Sequence, residues 1–91
     1  MKIVINACYG GFSLSDRGLA RYNELTGHNQ TYYYDIQRDD PHLVQVIEEL
    51  GFWSGGYYSK LKIVEIPDDV DWQIQEYDGN EWVAEKHRIW S

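Results

Sequence analysis

Residues 38–51 read RDDPHLVQVIEELG. Both ends of this stretch are punctuated as a helix. Asp40 is an N-cap, Pro41 takes the first helical position, where its missing N–H is not needed, and Gly51 ends the run. Between them Leu43, Val44, Ile47 and Leu50 share one helical face. A stripe of this kind packs on a sheet, so the flanks are read for strands.

Toward the N-terminus, TYYYDI (Thr31 to Ile36) is a β-prone run and a predicted strand. Residues 28–30 are a turn. An earlier helix starts at the N-cap Ser15, with Asp16 in its positive first turn and a Leu14–Leu19 hydrophobic staple. Leu19, Tyr22 and Leu25 form its stripe and Gly27 ends it. Gly18 weakens its first turn by about 1 kcal/mol relative to Ala. Before it, Lys2 to Ala7 holds the β-branched run Ile3-Val4-Ile5, which predicts a strand buried on both faces and central in its sheet.

Toward the C-terminus, FWSGGYYS (residues 52–59) is a loop. KLKIVEIP (60–67) is a strand with Leu61 and Ile63 on one side, Lys60 and Lys62 on the other, and Pro67 as its stop. DWQIQEY and EWVAEKH then flank Asp78-Gly79, a strong hairpin turn signal. The order is β-α-β-α-β-β-β. The expected fold is α+β with an α/β-like N-terminal half: one small mixed sheet of about five strands with both helices on one face.

Ninety-one residues make a single domain, 1–91, with no room for a second core. Four Trp and eight Tyr exceed what so small a core must hold, so some rings are expected at a ligand or subunit interface. The formal charge of −7 repels nucleic-acid backbones and anionic membranes, and suits a basic protein partner, a cationic ligand, a locally built anion site or plain solubility. A single cysteine excludes an internal disulfide and fits a reducing cytosol. No signal peptide or membrane span is legible, so the expected location is cytoplasmic.

Five features carry candidate chemistry. The first is INACYGGFSLS, Ile5 to Ser15. A strand, a glycine pair and a capped helix start can present backbone N–H groups to an anion. Gly10 and Gly11 would permit close approach, and Tyr9 and Phe12 would stack on a base. The pattern is neither G-x-G-x-x-G nor a Walker loop. The alternative is a turn requiring positive φ, with Phe12 returning to the core. The second is Cys8. A thiol-phosphatase spacing would need Arg at position 14, which is Leu14, and Arg17 lies beyond it. A lone cysteine at a strand end is expected to be buried and inert. Third, the three histidines lack ligand spacing, so no metal or other cofactor is expected.

The fourth feature is the hairpin. A two-residue turn places Glu76 opposite Glu81, Ile74 opposite Val83 and Trp72 opposite Glu85. Like charges face to face destabilise a hairpin, so Glu76, Glu81 and Glu85 together ask for a cation: Arg88, Lys86, Lys60 or a partner's basic surface. A three-residue loop, Asp78 to Asn80, would remove the clash, and both registers stay open. Fifth, Trp53, Tyr57 and Tyr58 surround Gly55-Gly56, a stacking platform or a subunit contact.

The opening KIVINACYGGFSLS, the middle DDPHLVQVIEELG and the close KLKIVEIPDDVDWQIQEYDGNEWVAEKHRIW resemble a family of small proteins of bacteriophages and prophages. The resemblance spans nearly the whole chain and carries no activity or site residue with it. It implies a phage accessory protein of the host cytosol, a setting in which small acidic proteins counter host defence by blocking a defence protein or binding its nucleotide signal.

These readings point to a binding protein rather than an enzyme. The leading expectation is sequestration of a small nucleotide-type ligand by Tyr9, Gly10, Gly11 and Phe12, with Arg17 or Arg88 offsetting the acidic background. The second is an inhibitor that docks on a basic host protein through Trp53, Tyr57, Tyr58, Glu76, Glu81 and Glu85. The third is a Cys8-dependent enzyme. Homo-oligomer formation is left open.

Overall fold

The computed structural model describes residues 1–86. Strand β1 (Lys2–Asn6) leads to helix α1 (Asp16–Thr26) and helix α2 (Pro41–Leu50), then a 3-10 helix (Gly51–Ser54) and strands β2 (Leu61–Glu65), β3 (Trp72–Tyr77) and β4 (Asn80–Glu85). Among the described residues the fold is a small α+β one with two α-helices and four strands. These form two antiparallel two-stranded sheets, β1–β2 and β3–β4. The expected single mixed sheet of five strands is therefore corrected, and the order is β-α-α-β-β-β.

The fifth strand is the one that fails. TYYYDI turns instead of extending: the Ile36 N–H reaches the Tyr33 carbonyl (3.2 Å), and the Asp40 N–H reaches that of Gln37 (3.1 Å). Ile36 is buried, while Tyr32 and Tyr34 stay in solvent. The tyrosines pack on each other, with 4.7 Å between the Tyr33 and Tyr34 ring centroids. β-propensity measures fit to a pleated, half-buried surface, and this segment finds only a point of contact with β1. There the Arg38 carbonyl accepts from the Val4 N–H at 2.8 Å.

The helices form where their caps predict. The Ser15 hydroxyl accepts from the Gly18 N–H (3.0 Å), and Gly27 closes α1 at φ 74°. Asp40 caps α2 by accepting from the His42 N–H (2.8 Å), with Pro41 first in the helix. α2 packs against both α1 and the β1–β2 sheet. It therefore buries a wider face than its sequence stripe: Val46 joins Leu43, Val44 and Ile47 in the core with Val4, Leu14, Tyr22 and Ile36. Ile3, Val4 and Ile5 are all essentially inaccessible, as the continuous apolar run requires. Leu61 and Ile63 pack on this core while remaining half-buried.

Two polar ties join the helices. The Tyr22 hydroxyl donates to Asp40 at 2.7 Å, and Arg21 grips Glu49 through Nε (2.7 Å) and Nη2 (3.1 Å). Burial, then the Asp40 carboxylate, pushes the Tyr22 phenol up to about 12. Burial acts to raise the Asp40 carboxyl, but the Tyr22 hydroxyl and the His42 and Leu43 N–H groups outweigh it and hold it below its usual range. Hydrogen bonds from Arg21 and Gln45 bring Glu49 down to about 2.

Candidate functional site

Asn6, at the end of β1, organises the opening loop. It is fully buried. Its amide donates to the carbonyls of Cys8 and Gly79 (2.7 Å each), and its oxygen accepts from the Lys60 N–H (2.8 Å). The start of the loop, the hairpin turn and the entry to β2 are thus tied to one side chain.

The glycine pair lies in this knot. A Cβ on Gly10 would stand 1.9 Å from the Tyr58 carbonyl oxygen, and a Cβ on Gly79 would stand 2.4 Å from the Gly11 nitrogen. Gly11 has φ 87°, and its carbonyl accepts from the Ser59 hydroxyl (2.6 Å). The Gly10-Gly11 backbone is therefore engaged by protein on both sides. Phe12 packs against the core, and the Arg38 guanidinium lies 3.6 Å from the centroid of its ring.

The hairpin takes the two-residue turn. Asp78 and Gly79 both have positive φ (55° and 89°), and Glu76 pairs with Glu81, Ile74 with Val83 and Trp72 with Glu85. The facing carboxylates diverge. Glu76 accepts from the Gly79 N–H (2.8 Å). Glu81 takes both arms of Arg38 (2.6 and 2.8 Å) together with the Asn6 N–H (2.8 Å). Among the described residues the cation that meets Glu81 is Arg38, which is none of Arg88, Lys86 and Lys60. Arg88 itself lies outside the described residues. Arg38 also donates to the Val4 carbonyl at 3.3 Å, so its two ends and Glu81 cover the free edge of β1. Neither Asn6 nor Arg38 stands out in the sequence, because their partners are far along the chain.

On the other side of the loop is a groove of about 910 Å³ between the start of α1 and residues 52–60. Its backbone floor is pinned. The Ser15 N–H reaches the Ser54 carbonyl (2.9 Å), the Gly56 N–H reaches that of Ser13 (3.2 Å), and the Ser15 hydroxyl donates to the Trp53 carbonyl (2.7 Å). Gly56 permits this crossing, since a Cβ there would fall 2.2 Å from the Ser13 hydroxyl oxygen. The rings it carries point out. Phe52 and Trp53 meet edge to face at 5.4 Å, and Tyr57 and Tyr58 at 5.6 Å. Tyr57 is 97% exposed. Trp53, Tyr57 and Tyr58 are thus brought together as candidates, with Phe52 added to them. Cys8, expected to be buried, is half-exposed and borders this groove, because β1 ends two residues before it.

The other candidates disperse. Tyr9 projects into solvent, Arg17 is exposed on α1, and Glu85 is exposed on β4. Gly11 and Phe12 join Glu76 and Glu81 around a smaller cavity of about 280 Å³, which also takes in Tyr33, Tyr34 and Arg38. Among the described residues, no three His, Cys, Asp or Glu side chains are placed to share a metal ion. No helix of the described residues is long and apolar enough to cross a membrane. Comparison with protein-family models, curated proteins and solved structures finds no match for the chain.

Proposed function

We propose that this chain is a binding protein that docks a basic, aromatic- or aliphatic-anchored segment of a partner protein in the groove formed by Phe52, Trp53, Tyr57 and Tyr58. One observation carries the reading: four large rings stand in solvent on a loop whose backbone is hydrogen-bonded into the fold. Rigid exposed aromatics supply contact area at low entropic cost and dominate interface energetics. The groove is lined by one acid, Asp16, and one base, Lys60, so what bears on the occupant is the charge of −7 of the whole chain. Two copies of this chain repel each other, whereas a cationic segment is attracted and steered.

The resemblance to phage proteins gives this reading its setting, the blocking of a host defence protein. Ligand sequestration at Tyr9 to Phe12 is the less favoured alternative. The backbone of the glycine pair is packed against Tyr58 and Gly79, and Arg38 covers a face of Phe12. A Cys8-dependent reaction is separated from both by Cys8→Ser, which would abolish that reaction.

The test is selection from a random peptide display library on the immobilised protein. The expected enrichment is of Lys- and Arg-rich peptides with an aromatic or leucine anchor, whose binding weakens as salt rises. Enrichment of acidic peptides, no enrichment, or self-association abolished by Trp53→Ala would overturn the proposal.

A further inference from the structure

The smaller cavity has a chemistry of its own. Its walls are Phe12, Tyr33 and Tyr34, and its polar groups are Arg38, Glu76 and Glu81. Phe12 and Tyr33 stand edge to face at 6.0 Å and 67°, and Tyr34 leans on Tyr33 at 4.7 Å and 38°. Phe12 and Tyr33 cross steeply while Tyr34 leans on Tyr33, so the wall presents rings in more than one orientation. One ring face already holds a cation, the Arg38 guanidinium over Phe12.

The charge count is unbalanced. One guanidinium faces two carboxylates, and Arg38 is committed to Glu81 through both arms. Both Glu81 oxygens are engaged. Glu76 gives one oxygen to the Gly79 N–H, a neutral donor, so its negative charge is left facing the cavity. A primary ammonium needs several strong acceptors in place of its water. A methylated ammonium needs π-faces and one nearby negative charge.

The geometry points to a second binding site, for a small methylated ammonium cation, in the cavity between the Tyr33-Tyr34 segment and the β3–β4 turn. The rings take the methyl groups and Glu76 supplies the counter-charge. This site shares no lining residue with the aromatic groove, so either can exist without the other.

The experiment is an NMR titration of the full chain with choline chloride, with ammonium chloride and the neutral isostere dimethylbutanol as controls. Choline should shift the Phe12, Tyr33 and Tyr34 resonances saturably. Dimethylbutanol and ammonium should bind about tenfold more weakly or not at all. Tyr34→Ala and Glu76→Gln should each weaken choline binding about fivefold or more. Both should keep the wild-type melting temperature, because Tyr34 is exposed and the glutamine oxygen still accepts from Gly79. Trp53→Ala should bind choline normally. Absence of shifts, equal binding of dimethylbutanol or ammonium, wild-type affinity in both cavity variants, or loss of choline binding in Trp53→Ala would overturn the assignment.

Discussion

Arg38 holds three parts of the molecule at once: its backbone and guanidinium bond Val4, its fork takes Glu81, and its plane covers Phe12. The Glu81 side chain is only 9% exposed. Arg38→Met therefore leaves a buried carboxylate without its counter-charge and should lower unfolding free energy by about 3 kcal/mol. Urea denaturation measures this, and a loss below about 1 kcal/mol would mean the pair acts as a surface ion pair. Gly10 tests the knot differently. Gly10→Ala drives a methyl into the Tyr58 carbonyl, whereas Gly27→Ala meets open space and bears only its left-handed backbone, about 1–2 kcal/mol. Gly10→Ala should be the more destabilising by thermal melt, and equal melting temperatures would contradict the packing. The glycine pair was visible in the sequence as a special loop. Its reason was not, because Gly10 answers to Tyr58 and Gly11 to Gly79. Arg38 and Asn6 were invisible for the same cause: they meet Glu81 from 43 and 75 positions away.

The elements divide by how local their determinants are. Both helices end at the glycines the sequence marks and start at its caps, since a cap is set by residues within one turn. The sequence admits two hairpin registers, and Asp78-Gly79 with paired positive φ decides between them. TYYYDI misled because a strand needs a partner that propensity does not name. The α1–α2 ties carry a pH prediction. Asp40 lies below its usual range and Glu49 near 2 in the folded state, so protons bind the unfolded chain more readily. Their stabilisation is complete above the ordinary carboxylate range and is lost as pH falls from about 5 toward 2. Tyr22→Phe removes one of the bonds that lower Asp40. It should be less stable than wild type at neutral pH by about 1.5 kcal/mol, and this gap should narrow on acidification. Melting temperatures across that range check it, and a gap that is constant with pH would contradict the coupling.

For the whole molecule, the sequence supports the α+β class but not how the sheets are joined. β4 lies against β1, yet the Glu81 carboxylate and the Arg38 carbonyl occupy the N–H groups a ladder would use, so the molecule has two small sheets in place of one. That choice is made by one side chain and one backbone carbonyl meeting in three dimensions, and it leaves no periodicity to read. The surplus of aromatic residues, by contrast, did announce a surface, and the fold gathers Phe52, Trp53, Tyr57 and Tyr58 along one groove. On the proposed reading these rings bind a basic partner segment while the glycine loop serves the fold. The most direct measurement is the affinity of a selected basic peptide for wild type and for Trp53→Ala/Tyr57→Ala, read beside the melting temperature of each. The expected affinity loss is about a hundredfold, the scale of an interface hot spot, with melting unchanged because both side chains stand in solvent. Undiminished peptide binding by the double variant would contradict it.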